Sequence, residues 1–281
     1  MSLPHGYRET LHDRFAAEAA WQFFAETAGE HRVLPDGRCD IILRFRSDGL
    51  KPLGVITAIV VGAATRFHSV TMAAGTGYVG ARLRPGAARA VLGMDLRAIT
   101  DRGLVGDAAL AKVPALDSLC GPASSVDGLV DRLDRFVAER SVTLTIDPLT
   151  AALIDSLHVT GGRLSVADIA ALHGVDVRTV RRRICSATGL TPKQFAMVVQ
   201  FHRALRLRFH DGLDVASTAF EAGYADQAHM SRVFRLMGGI SPARRPDLVL
   251  AGLPIEGMSD LFTTSLSGAH KLRASHHKDR S

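Results

Sequence analysis

The feature that most limits what this chain can fold into is a half-repeat in its C-terminal part. The first copy opens at Ser165-Val-Ala-Asp168 and passes through Gly174 to Arg183; the second opens at Asp214 and passes through Gly223 to Phe234. Each copy supplies a capping residue (Ser165, Asp214), a small residue where two helices must nearly touch (Ala170, Ala219), a glycine four positions later, and an apolar residue that seals the pair (Val180, Met230). The cap satisfies N–H groups that have no partner in the first turn. The glycine takes the positive φ that a sharp helix exit demands. This spacing predicts two helix-turn-helix units, each of two helices and a tight turn. Both copies leave by the same signal, Gly189-Leu-Thr-Pro192 and Gly239-Ile-Ser-Pro242. Gly174 and Gly189 lie fifteen positions apart and Gly223 and Gly239 sixteen, which puts one extra residue in the second turn. Between the copies, Thr191-Pro192-Lys193-Gln194 caps a joining helix that runs to about Phe209.

The charge is located as well as positive. The net formal charge is +6. Residues 1–147 hold 17 basic and 17 acidic side chains, residues 148–246 hold 13 and 7, and the remainder holds 4 and 4. The excess therefore sits on the repeat, which points to a polyanionic partner, a solvated basic surface being the alternative. In the first copy Arg178, Arg181 and Arg182 recur at i, i+3, i+4 and share a helix face. In the second, Gln227, Ala228, His229 and Arg232 take the equivalent face. Arginine suits guanine edges and glutamine suits adenine, so these seven are the candidate base contacts of two helices entering a major groove. Arg183, Arg206, Arg208, Arg244 and Arg245 are the candidate phosphate contacts.

The second copy, Ala219-Phe-Glu-Ala-Gly-Tyr-Ala-Asp-Gln-Ala-His-Met-Ser-Arg-Val-Phe234 with Gly239-Ile-Ser-Pro242, resembles the signature of the C-terminal domain of AraC/XylS-type transcriptional regulators. The likeness covers roughly Pro148 to Pro246. It departs at Pro242-Ala-Arg-Arg-Pro246, where that family usually has an aromatic residue before the arginine. Leu34-Pro-Asp-Gly37 and Leu83-Arg-Pro-Gly-Ala87 are similar to an uncharacterised N-terminal module often joined to such readers. The resemblance implies sequence-specific binding to double-stranded DNA, a small-molecule effector or homodimer contacts acting through the N-terminal module, RNA polymerase as a partner of an activator, and residence in the cytoplasm with the nucleoid.

The N-terminal part reads as β-rich. Cys39–Arg46, Val55–Val61 and Gly75–Arg84 are the strand candidates, and short helices are expected over Ala87–Leu92 and Leu96–Thr100. Val55–Val61 is apolar but for Thr57, which predicts burial on both faces; Gly75–Arg84 alternates, which predicts one buried face. Arg14–Phe24 has helical spacing (Phe15, Ala19, Phe23), and Ala111–Gly121 reads as a loop. A stripe of Leu129, Val130, Leu133, Phe136 and Val137 predicts a helix over Val126–Arg140. A further helix opens at Pro148 and stops at Gly161-Gly162.

The fold class expected is thus two-domain α+β. A β-rich N-terminal domain with small helices, a cupin-like barrel being one form of it, spans 1–115. A helical linker spans 116–147, an all-α tandem helix-turn-helix domain 148–246, and a flexible tail 247–281. No catalytic set, cofactor fingerprint or metal spacing is found, so catalytic and metal residues are none and cofactors none. Cys39, Cys120 and Cys185 are unpatterned, the longest apolar run is too short for a membrane span, and no leader is read at the N-terminus. The competing classes are an enzyme or small-molecule binder with the helices as accessory module, and a protein-interaction adaptor.

Overall fold

The computed structural model describes residues 6–11, 16–47, 53–244, 249–250 and 262–265. The first domain is built from two sheets in which every pairing is antiparallel. Its strands are β1 (Gly6–Leu11), β2 (Ala17–Ala25), β3 (Gly29–Val33), β4 (Cys39–Arg46), β5 (Thr57–Val61), β6 (His68–Met72), β7 (Thr76–Leu83) and β8 (Gly103–Val105), joined by β9 (Val249–Leu250) and β10 (Phe262–Ser265) from the C-terminal segment. One sheet has the order β1-β2-β7-β4-β5-β8 and the other β6-β3-β10-β9. The segment 247–281, expected as a free tail, thus sends two short strands into the second sheet.

Helices cover the larger sheet. They are α1 (Ala88–Leu92), a 3₁₀ turn over Leu96–Ile99, α2 (Asp107–Lys112), a 3₁₀ turn over Pro114–Leu119 and α3 (Val126–Ser141). Leu129, Leu133, Phe136 and Val137 of α3 share one core with Ile41, Leu43, Val60, Val79 and Leu83 of the sheet. The apolar stripe read from the sequence therefore packs on its own domain, and 116–147 forms a layer of that domain rather than a linker. Only residues 142–147 connect.

Four readings are corrected here. Residues 17–24 of the expected helix Arg14–Phe24 lie in β2, because that strand pairs with β1 on one side and β7 on the other. The expected loop at 111–121 holds the end of α2 and a 3₁₀ turn, anchored by buried Leu116 and Leu119. β7 is buried on both faces, not one. β5 starts at Thr57, and Val55 before it is 86% exposed.

The second domain is helical: α4 (Pro148–Val159), α5 (Val166–Leu172), α6 (Val177–Thr188), α7 (Pro192–Leu205) with a π turn over Arg206–His210, α8 (Val215–Glu221) and α9 (Gln227–Gly238). Its core also takes in Leu34 and Ala63 of the first domain. The seam is centred on the Pro35–Arg38 turn. His202 Nε2 meets the Pro35 carbonyl at 2.6 Å, and the Phe195 ring lies so close to Gly37 that a Cβ there would come within 2.9 Å. Beneath the turn, fully buried Arg82 faces Asp36 at 3.2 Å and Asp40 at 3.7 Å, and Arg38 Nε donates to Glu18 at 2.8 Å.

Two histidines, buried His202 and half-buried His158, make this seam sensitive to acid. Burial pushes His158 down to about 3, with the charges of Arg38 and His202 adding to it, and burial also lowers His202. Both are neutral in the fold but accept a proton when unfolded, where the ordinary value is 6.5. Unfolded chains then bind more protons, so the stability these groups allow is complete above about pH 6.5 and is lost as pH falls toward 3. The thermal midpoint should drop between pH 7.5 and 4.5, and His158→Phe should flatten that drop. An equal drop in the variant would mean that this ring does not contribute.

Candidate nucleic-acid interface

The two helix-turn-helix units leave their first helices through the same backbone hydrogen bond. Ser165 and Asp168 form a reciprocal capping box at the start of α5. Asp214 caps α8 through the N–H groups of Ala216 (2.8 Å) and Ser217 (2.9 Å). The turn after α5 is closed by Val175 N–H donating to Ala170 O at 3.0 Å; after α8, Tyr224 N–H donates to Ala219 O at 2.8 Å. Gly174 and Gly223 hold φ of +62° and +80° there, which a side chain resists. The residues read from spacing thus do the work assigned to them: Ala170 and Ala219 are buried at the crossing, and Val180 and Met230 are fully buried in the second helices.

One pair of residues was missed. Asp176 caps α6 through Thr179 N–H at 2.7 Å, and Asp226 caps α9 through His229 N–H. The backbone N–H of Thr179 holds the Asp176 carboxyl below the usual carboxylate range. Asp176 lies two positions after Gly174 and Asp226 three after Gly223, so the extra residue of the second copy does lie in its turn. From these caps α6 and α9 run for 12 residues each and end at Gly189 and Gly239. The equal lengths let the faces be matched: Arg178 with Ala228, Arg181 with Ser231, Arg182 with Arg232, and Cys185 with Arg235.

Arg178, Arg181, Arg182, Gln227, Ala228 and Arg232 are all exposed. His229 is half-buried, its ring edge-on to Tyr224 at 5.4 Å. Arg235 is exposed one turn beyond Arg232 on the same face, a position that the i, i+3, i+4, i+7 rule could have found. The opposite faces are core: Val180, Ile184 and Ala187 in α6, and Met230, Val233, Phe234 and Met237 in α9.

The five phosphate candidates separate. Arg206 and Arg244 are exposed. Arg183 is engaged with Asp147, the cap of α4, and with Thr150 Oγ1 at 3.3 Å. Arg208 donates to Pro242 O (2.7 Å) and Leu213 O (3.1 Å), fastening the chain on either side of the second unit. Arg245 lies outside the described residues. The joining helix α7 packs against both units. Gln200 Nε2 donates to the carbonyls of Ala222 and Gly223 (3.1 and 2.9 Å), and Phe201 meets Phe234 edge-on at 5.3 Å. Among the described residues no cluster of His, Cys, Asp and Glu could hold a metal, and no helix is long and apolar enough to cross a membrane.

Known proteins share these features. Residues 165–244 match the family described as Helix-turn-helix domain, and residues 15–104 match Domain of unknown function (DUF6597). The chain is 34% identical over 68 residues to the HTH-type transcriptional activator RhaS of Klebsiella pneumoniae (strain 342), covering 24% of each. It is 34% identical over 79 residues to the transcriptional activator NphR of Rhodococcus sp, covering 28% of this chain and 23% of that one. The matched part spans about a quarter of these relatives' length. Among solved structures, the DNA-binding domain of AdpA in complex with a target DNA is similar at 29% identity and TM-score 0.32, over 34% of this chain and 87% of that one. ToxT from Vibrio cholerae O395 is similar at 10% identity and TM-score 0.42, over 85% and 96%. The chain therefore carries a helix-turn-helix domain at residues 165–244, joined to a domain of unknown function (DUF6597) at residues 15–104.

Proposed function

We propose that the chain is a sequence-specific DNA-binding transcriptional regulator that lays α6 and α9 into successive major-groove segments about one helical turn apart. The observation that carries this is the matched pair of 12-residue helices with their non-core faces exposed, rich in arginine and each set behind a capped first helix and a glycine turn. Arg178, Arg181 and Arg182 read one segment; Gln227, Ala228, Arg232 and, at its margin, His229 read the other. Arg206 and Arg244 meet phosphates, while Arg183 and Arg208 hold the frame that presents them. An effector, a second copy of the chain or RNA polymerase would act on this reader through the rest of the molecule.

The test is retention of genomic fragments by the whole protein, followed by gel-shift on the enriched sequence. A common motif with two half-sites about one turn apart is expected. Affinity should also fall steeply with salt, with a log–log slope of about −0.9 per phosphate neutralised. No enriched sequence, or a flat salt response, would remove the proposal in favour of an interaction module.

A further inference from the structure

The last carbonyls of a helix have no partner inside it. At the ends of both recognition helices the first domain supplies the partners. For α6, Gly86 N–H donates to Ala187 O at 3.0 Å and Thr100 Oγ1 donates to Gly189 O at 2.9 Å. For α9, Arg32 Nη1 reaches Gly238 O at 3.2 Å and Gly239 O at 2.9 Å. A guanidinium at a helix C-terminus also meets the negative end of the helix dipole. Both caps are pressed close. A Cβ on Gly189 would lie 3.0 Å from Leu96 O, and one on Gly239 would lie 2.7 Å from the Phe67 ring.

The two grips are joined to each other inside the first domain. Asp101, next to Thr100, accepts from Thr65 N–H at 2.6 Å and from Thr65 Oγ1 at 2.8 Å. Asp101 N–H in turn donates to Ala63 O at 3.1 Å. That ties the Thr100 turn to the 62–67 loop, whose Phe67 ring lies 4.8 Å beneath the Arg32 guanidinium. Among the described residues Asp101 is the non-glycine residue with positive φ, +57°. Aspartate is among the residues that take this conformation most readily, and here its carboxylate is held by Thr65.

We propose that this strut, running from Thr100 through Asp101, Thr65 and Phe67 to Arg32, sets the spacing and angle between α6 and α9 and so selects the distance between the two half-sites in DNA. The proposal rests on the DNA-reading function above. Arg32 and Thr100 are positioning residues; they hold helix ends and leave the exposed arginine faces untouched.

The experiment uses the whole chain and the genomically selected duplex, together with versions that carry one base pair more or fewer between half-sites. Each such change shifts one half-site by about 3.4 Å and about 35°. Wild type should prefer the native spacing by about tenfold. Thr100→Val and Arg32→Met should bind the native duplex more weakly while keeping their affinity for the altered ones, so that the preference shrinks; Thr100→Ser should restore it. An equal loss on all three duplexes, or no loss, overturns the proposal. A second measurement is independent of DNA. With Cys120 and Cys185 replaced by serine, spin labels at Ala171→Cys and Ala216→Cys should give a narrow distance distribution that Thr100→Val and Arg32→Met broaden. An unchanged distribution overturns the strut. A broadened one in a protein that retains no genomic fragment overturns the DNA reading instead.

Discussion

Phe234→Ala is expected to lower the stability of the helical domain by about 3–5 kcal/mol, the range for removing a large aromatic side chain from a packed core. Phe234 is fully buried on the inner face of α9. Its ring meets Phe201 of α7 edge-on at 5.3 Å and Phe209 at 6.2 Å. These rings are what fasten the second recognition helix to the joining helix, so alanine there leaves a cavity at the joint between the two units. Urea unfolding followed by circular dichroism reads the change. A loss below about 1 kcal/mol would mean that α9 is not seated on α7 through this ring.

Arg182→Ala and Arg232→Ala are each expected to weaken binding to the selected duplex by about 1–3 kcal/mol, at fixed salt and with stability unchanged. Both side chains are exposed, at the same position in equal helices, and neither helix face behind them would be disturbed. The two losses should add, because the contacts belong to separate half-sites. Arg183→Ala should behave differently: it removes the partner of the Asp147 cap of α4, and its effect should appear in stability as well as in affinity.

The helical domain was legible in the sequence because its signals are local. A cap, a glycine with positive φ and a buried residue at the right spacing all fall within about twenty residues, and the repeat states them twice. Asp176 and Asp226 are local signals of the same kind, each a capping carboxylate three positions before the N–H it accepts from. The first domain was less legible, since strand pairing is decided by partners far along the chain. Residues 17–25 carry a helix-like spacing of Ala19 and Phe23, yet β1 and β7 flank them and the sheet wins. Val55 through Val61 looked uniformly apolar apart from Thr57, but only a sheet position tells which of them is covered. The contacts between domains were not readable at all. Thr100 and Gly189 stand 89 positions apart and Arg32 and Gly239 stand 207, and no periodicity links them. Arg183 was read as a candidate phosphate contact, and its partner Asp147, 36 positions away, could not be read from the spacing.

The central claim is that one chain carries two distinct probes, α6 and α9, that read separate segments of one duplex. It is tested most directly by measuring affinities for duplexes in which each base pair of the selected site is substituted in turn, for wild type, Arg182→Ala and Arg232→Ala. The account predicts that Arg182→Ala loses discrimination only within one half-site and Arg232→Ala only within the other, with the two affected stretches about one helical turn apart. Loss of discrimination at the same base pairs in both variants, or a uniform weakening across all duplexes, would contradict it.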